Sequence, residues 1–241
     1  MVQRTQPQTS ADPRINSLLA ALEPADYEAL MADATIVALK LEKRLYKQDE
    51  RIGEVYFPLD CMVSLLVQPL DGPLVEAATI GREGVVGTVG LTLNQTAIGT
   101  HFVQLPGMAV RIGAEALAKH LSNRPLRSLI DRHQYALTRQ ILFGAACNSL
   151  HATEQRCARW LLMTHDRAGT DTFPLTQEFL AHMLAVRRAT VNASTASLKK
   201  AGFIHYVRGQ LTIVDRTGLE SACCACYRSI WQAYDKVGIR L

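Results

Sequence analysis

The hydrophobic period of this chain changes once, near residue 123, and that change limits the architectures open to it. On the N-terminal side, short β-rich runs recur: ATIVALKL, EVYFPL, CMVSLLVQPL, LVEAATI, HFVQLP and MAVRI. Gly53, Asp71-Gly72-Pro73, Gly81, Gly99 and Pro106-Gly107 separate most of them. Several short strands at close spacing predict an all-β sandwich or barrel. On the C-terminal side, Asn123-Arg124-Pro125 opens a helical pattern. Pro125 suits a first turn, where its missing N–H costs nothing. Leu126, Ile130, His133, Leu137 and Ile141 then fall three or four apart and form one stripe. The pattern runs to about Leu150, a helix of roughly 39 Å at 1.5 Å per residue. Ahead of the strands, residues 15–33 (INSLLAALEPADYEALMAD) read as one or two short helices.

A helix that long must bury its stripe. The same helix of a second subunit is the economical cover, because two-fold dimers are the commonest oligomers. Leu126, Ile130, His133, Leu137, Ile141 and Gly144 are therefore expected at a homodimer interface. Packing on the chain's own β domain is the other way to cover them. A further helix, TEQRCARWLLMTHDR, spans about 153–167 and stops at Ala168-Gly169.

Residues 175–215 carry the chemistry. Thr176 is placed to cap a helix containing Leu180, Met183 and Leu184. Val186 sits in a tight turn, and a second helix starts near Arg187-Arg188 with Val191, Ala193 and Leu198 facing inward. That helix ends at Ala201-Gly202. FIHYV and QLTIV follow around Arg208-Gly209 as a β-hairpin. Helix, turn, helix and hairpin together make a winged helix-turn-helix.

Charge agrees with this reading. Residues 1–120 hold 10 Lys and Arg against 14 Asp and Glu, and residues 121–241 hold 16 against 8. Between Glu178 and Asp215 there is no acidic residue, while the same interval holds Arg187, Arg188, Lys199, Lys200 and Arg208. One-sided positive charge fits a phosphate surface, since each neutralised phosphate releases counterions. In a helix-turn-helix the start of the second helix meets base edges, where Arg pairs with guanine and Asn with adenine. Double-stranded DNA is the expected partner. Arg188 is expected to contact a base or phosphate; Arg187, Thr190, Asn192, Ser194 and Thr195 lie along the same helix. Lys199 and Lys200 suit phosphates better than bases, and Thr176, Gln177 and Arg208 complete the surface. Thr190 and Ser194 have a competing role, bonding back to their own helix.

The order of parts, with LTQEFLAHMLAVRRATV, the core Arg188-Ala189-Thr190-Val191 and the following Gly202-Phe203-Ile204, resembles the Crp/Fnr superfamily of bacterial transcription regulators. The resemblance covers about residues 15–220 and is strongest over 175–204. It implies an α+β chain: a tail at 1–14, a β-roll (a cyclic-nucleotide-binding-like jelly roll) at 15–122, a dimerisation helix at 123–151 and a winged helix-turn-helix domain at 152–241. It further implies a homodimer on a two-fold operator, with RNA polymerase as a partner. Departures limit what transfers. Ala189 stands where family members often have Glu, Ala193 where they often have Arg, and Ala185 at the turn glycine. Gly81-Arg82-Glu83-Gly84 resembles part of the cyclic-nucleotide site, which puts Glu83 and Thr100 in an effector pocket. Ile98-Gly99-Thr100 replaces the Arg-Ser pair that would meet the cyclic phosphate, and an unpaired buried charge is costly. Standard cyclic AMP binding is not expected. No cysteine precedes Cys61, so the N-terminal iron–sulfur ligands of some relatives are missing.

The six cysteines, Cys61, Cys147, Cys157, Cys223, Cys224 and Cys226, show no disulfide spacing. Cys223-Cys224-Ala225-Cys226 reads as small buried residues of a last helix rather than a thiol switch or soft-metal site, since no nearby His completes a zinc-finger spacing. No cofactor or metal is assigned. No run approaches a membrane span, and the polar N-terminus offers no signal-peptide core. A cytoplasmic protein is expected. The seven histidines are scattered, and GxSxG, P-loop and HExxH spacings are missing, so no catalytic residue is assigned and a cupin-like enzyme is disfavoured. The competing reading is a small-molecule or redox-sensing module whose winged helix serves protein contacts.

Overall fold

The computed structural model describes residues 12–72, 74–88, 96–122 and 124–240. Most of the expected tail, residues 1–11, lies outside them, as does Asn123. Asp12–Arg14 is not tail: Asp12 caps a 3-10 turn, Pro13–Ile15. Two short helices follow, α1 (Ser17–Ala20) and α2 (Pro24–Ala32). Asn16 fixes α1 to the body. Its carboxamide oxygen accepts from the Leu18 and Leu19 amides, and its nitrogen donates to the Pro58 and Gly84 carbonyls, both at 2.9 Å. Pro24 begins α2, where it displaces no hydrogen bond.

Among the described residues, seven antiparallel strands form the two facing sheets of the N-terminal part. They are β1 (Ala34–Leu39), β2 (Arg44–Tyr46), β3 (Glu54–Pro58), β4 (Met62–Val67), β5 (Val75–Ile80), β6 (Thr100–Leu105) and β7 (Gly107–Gly113). One sheet has the order β1-β7-β3 and the other β2-β6-β4-β5. The six expected runs are all strands. β2 was not expected; it is three residues long, and its register on β6 is irregular.

The second sheet has a protein core on both faces. Val63, Leu65 and Val103 point into the roll, while Met62, Leu66 and Leu105 point outward into the core of the C-terminal domain. This explains why β4 reads MVSLLV with no polar face: alternate residues belong to different cores. Ser64 is the polar exception, and its hydroxyl lies 2.8 Å from Glu76 and 2.6 Å from Gln104.

After α3 (Ala114–His120) comes the long helix α4 (Arg124–Leu150), 27 residues or about 40 Å. Its stripe does not face outward. Leu126, Ile130, His133 and Leu137 are buried in the roll core, and Ile141 packs at its edge. Gly144 lies beside β5, where a Cβ would sit 3.6 Å from the Ala77 carbonyl oxygen. The expected dimer interface is therefore corrected for Leu126, Ile130, His133 and Leu137, which the chain buries itself, while Ile141 and Gly144 stay half-buried. The surface left outside carries Asp131, Tyr135, Thr138, Leu142, Ala145 and Ser149.

The C-terminal part contains α5 (Thr153–Ala168), β8 (Thr172–Pro174), α6 (Gln177–Leu184), α7 (Arg188–Lys200), β9 (Ile204–Val207), β10 (Gln210–Ile213), α8 (Arg216–Ala222) and α9 (Cys226–Lys236). β8 joins the expected hairpin in the order β8-β10-β9. α9 does not stay with the winged helix. It lies along α4, and Ile230, Tyr234 and Ile239 enter the roll core. The division at 152–241 thus runs one helix too far. No helix among the described residues is long and apolar enough to cross a membrane.

Candidate nucleic-acid interface

α6, its turn and α7 are built as the local sequence dictates. The Thr176 hydroxyl accepts from the Phe179 amide at 3.1 Å, the expected N-cap. α6 ends at Ala185, whose φ of 51° is left-handed and costs an L-residue about 1–2 kcal/mol. The Val186 amide then reaches back to the Ala181 carbonyl at 3.1 Å. Arg187 is the N-cap of α7, with extended backbone and no side-chain cap bond. The helix closes at Ala201, and Gly202 at φ +82° lets the Phe203 amide return to the Leu198 carbonyl at 3.1 Å. Arg208 and Gly209, at φ 49° and 76°, form the two-residue hairpin turn.

Val191, Ser194, Thr195 and Leu198 are the buried face of α7. Two expectations are corrected here. Ser194 and Thr195 are 7% and 5% exposed and cannot reach a groove. Thr195 bonds back to the Val191 carbonyl at 2.9 Å. Ala193, expected inward, is exposed instead. The helix is rotated about one residue from the sequence reading: Val191 and Leu198 join the core that includes α5, and Ser194, spaced three and four from them, is carried to the same buried face. Arg187, Arg188, Thr190, Asn192, Lys199 and Lys200 stand exposed, as does Arg208 on the hairpin tip. Thr176 is exposed and Gln177 half-buried at the start of α6. This surface holds five guanidinium or ammonium groups and no carboxylate between Glu178 and Asp215. Backbone amides at the starts of α6 and α7 add partial positive charge.

The domain carrying this surface is docked on the roll. Phe179 stacks on Phe102 of β6 at 5.8 Å between ring centroids and meets Trp160 edge-on at 6.3 Å. The Trp160 indole N–H donates to Glu76 Oε1 at 2.8 Å. Burial pushes the Glu76 carboxyl up to about 7, against the lowering effect of its Ser64 and Trp160 hydrogen bonds. Glu76, Thr79, Gln140, Asn148, Arg159 and Thr164 also line a narrow polar cleft between β5, α4 and α5.

The expected effector residues are not brought together. Glu83 is wholly buried, and its Oε1 accepts from Arg167 Nε at 2.9 Å and Nη2 at 2.7 Å. Arg167, from α5, is itself 1% exposed. It also donates to the Met163 carbonyl at 3.0 Å, and its guanidinium lies 4.9 Å from the Trp231 ring centroid. Gln140 of α4 reaches both Arg167, at 3.4 Å, and the Tyr234 hydroxyl, at 3.1 Å. Thr100 lies at the start of β6, where its hydroxyl accepts from the Gln48 amide at 3.2 Å. The expected effector pocket at Glu83 and Thr100 is corrected: an internal arginine has taken the Glu83 carboxylate. Sequence reading missed Arg167 because its partner lies 84 residues away and no local pattern marks it. His133 sits beside this pair with neither ring nitrogen hydrogen-bonded, and burial lowers it to about 4.

Residues 155–222 match a described domain, the Crp-like helix-turn-helix domain. No curated protein matches the chain in sequence. Solved structures match it in shape. A putative transcriptional regulator of the crp/fnr family from Eubacterium rectale superposes with a TM-score of 0.67 at 14% identity, covering 87% of this chain and 98% of that one. FixK2 from Bradyrhizobium japonicum gives 0.67 at 17%, covering 80% and 98%. The c-di-GMP responsive regulator CLP of Xanthomonas campestris gives 0.62 at 13%, covering 79% and 99%. The chain therefore has the fold of Crp/Fnr transcription regulators, with the roll, long helix and Crp-like domain in the same order. The Crp-like domain holds all ten residues expected at DNA, and eight of the nine other than Gln177 are exposed; Ser194 is the exception.

Proposed function

We propose that this chain is a homodimeric, sequence-specific DNA-binding regulator of transcription, acting in the cytoplasm with no catalytic step. One observation carries the reading: the exposed start of α7, with Arg187, Arg188, Thr190 and Asn192, stands in a stretch with no acidic residue, and Arg208 extends from the adjoining wing. Arg188 and Asn192 are one helical turn apart and share a face. They are the base-reading pair. Arg187, Lys199, Lys200, Arg208 and the α6 start at Thr176 and Gln177 hold phosphates.

The homodimer forms through the outer face of α4. Asp131, Tyr135, Thr138, Leu142, Ala145 and Ser149 alternate at spacings of four and three, the seam of two helices packed in parallel. Tyr135 and Leu142 are 46% and 58% exposed there. Two recognition helices then meet a two-fold operator at half-sites roughly 34–36 Å apart. RNA polymerase is the further partner in this reading. The signal is not cyclic AMP bound in the standard way, since Arg167 already neutralises Glu83 inside the protein. No cofactor is assigned at that place.

Fluorescence anisotropy with the operator recovered by genome-wide footprinting tests this. Salt-sensitive binding to a palindromic site is expected, together with a dimer in sedimentation that Leu142→Glu dissociates. Failure to bind any genomic fragment at low salt would move the winged helix to the protein-contact reading.

A further inference from the structure

The C-terminal cysteines acquire a partner that the sequence did not offer. Cys147 lies in the last turn of α4 and His151 just past its end, at the i, i+4 spacing that puts two side chains on one helix face, and the His151 amide still bonds to the Cys147 carbonyl at 3.1 Å. Cys224 and Cys226 flank the start of α9. Four ligand atoms, one from each residue, all lie within 4.8 Å of one another. Cys147 Sγ is 3.4 Å from Cys224 Sγ, and Cys226 Sγ is 3.7 Å from His151 Nδ1. A tetrahedral ion with metal–sulfur bonds of about 2.3 Å and metal–nitrogen bonds of about 2.0 Å spaces its ligands about 3.6–3.8 Å apart. The Cys147–Cys224 separation lies just below that range and the Cys226–His151 separation within it. An iron–sulfur cluster would spread the ligands further, because its own sulfides stand between them.

We infer that Cys147, His151, Cys224 and Cys226 form a binding site for one thiophilic divalent cation of the zinc class. Three thiols release their protons, the imidazole binds neutral through Nδ1, and the loaded site carries one net negative charge. Two cations face that charge, the buried Arg156 and the half-buried Arg159: from the adjoining turns of α5 they act electrostatically on Cys147, and the Nε of each is without a hydrogen-bond partner. Cys226, as the first residue of α9, also meets the positive end of that helix. Cys223 is half-buried, is outside the set, and points its Sγ at the Cys224 carbonyl.

The place of the site gives it a role. α4 ends at Leu150 and α5 starts at Thr153, so His151 is one of two residues linking the long helix to the Crp-like domain. A cation there ties α9, the end of α4 and that link into one unit. An effect on DNA affinity rests on the function proposed above; the site itself does not.

Protein purified under reductant without chelator is analysed for metal by mass spectrometry, and then loaded with cobalt(II) after metal removal. About one equivalent of zinc per chain is expected, with the sulfur-to-cobalt charge transfer and intense d–d bands of a tetrahedral thiolate site. Cys224→Ser and His151→Ala should lose the metal or weaken it at least tenfold, while Cys223→Ser keeps it. Should a variant fail to fold, alkylation of the wild type decides: Cys147, Cys224 and Cys226 should be protected until a chelator is added. Less than a tenth of an equivalent of metal with no tetrahedral cobalt spectrum overturns the site. So does a Cys147–Cys224 disulfide in metal-free protein that resists reloading after reduction. Operator binding by the loaded wild type is read separately, so a DNA-binding failure with full metal would sink the function and leave the site.

Discussion

Arg167 and Arg188 sit on neighbouring helices of one small domain, and they are used in opposite ways. Arg188 is exposed at the start of α7, at low cost, because water solvates it until a phosphate or base arrives. Arg167 is 1% exposed, and the chain must supply everything water would have given it: the Glu83 carboxylate, two backbone carbonyls, Gln140 and the face of Trp231. Such a pair contributes little net stability against apolar residues of the same size, but losing one half is expensive. The two arginines thus separate a surface held ready for a partner from a seam that fixes how the domain is carried.

The sharpest way to break that comparison is Arg167→Leu. Glu83 would be left charged and buried, and unfolding in urea should show a loss of about 3–5 kcal/mol. The double variant with Glu83→Gln should recover most of it. If the single variant loses less than about 1 kcal/mol, water already reaches the pair and the seam is not dry. Arg188→Ala should leave the urea midpoint unchanged.

Glu76 tests the same seam through pH. Its carboxyl lies at about 7 rather than the ordinary 4.5, because burial disfavours the charge. The folded protein therefore holds a proton that the unfolded chain releases. Stability that is complete below 4.5 is lost as pH rises through 7, by roughly 3 kcal/mol in all. Glu76→Gln removes this component. Melts from pH 5 to 8 should show the wild type falling relative to the variant; parallel curves would mean that Glu76 is solvated despite its bonds to Trp160 and Ser64.

On the exposed side, Arg188→Ala should weaken operator binding by about 1–3 kcal/mol and relax preference at one base pair. Lys200→Ala should weaken all sequences alike and reduce the salt dependence by about one ion. A footprint unchanged by Arg188→Ala would remove that residue from base reading.

The contrast also explains what the sequence could tell. Strands at β1 and β3–β7, the reach of α4, the Thr176 cap and the Arg208-Gly209 turn all come from local patterns, and the structure has them. The exposed cations were visible because an exposed residue needs no partner to be interpreted. What was missed depends on pairing across distance. The α4 stripe was legible as apolar, but not that β5 and α9 cover it. Glu83 looked like a ligand residue until Arg167 arrived from α5. His151 and Cys224 are 73 residues apart and meet only because α9 folds back along α4. Within α7 the error was a rotation: polarity puts Ala193 inward ahead of Ser194, but both are small, and it is Ser194 that is buried.

The smallest test concerns the turn between α6 and α7, where neither burial nor charge decides. Ala185 holds φ 51° and ψ 47°, a region that costs a side chain through its Cβ and costs glycine almost nothing. Glycine also gains freedom in the unfolded chain, which returns about 0.4–1 kcal/mol of that relief. Ala185→Gly should therefore stabilise the protein by only about 0.5–1 kcal/mol, read as a small rise in the urea midpoint with an unchanged slope. Ala185→Val, with a branched Cβ in the same left-handed position, should lose more than the glycine gains. If glycine destabilises, the turn is relaxed differently in solution, and the angle at which α6 presents α7 is not the one described. Because that turn sets the aim of Arg188, operator affinity of Ala185→Gly separates a gain in stability from a change of aim: equal affinity means that the geometry of the reading helix survived the relief of strain.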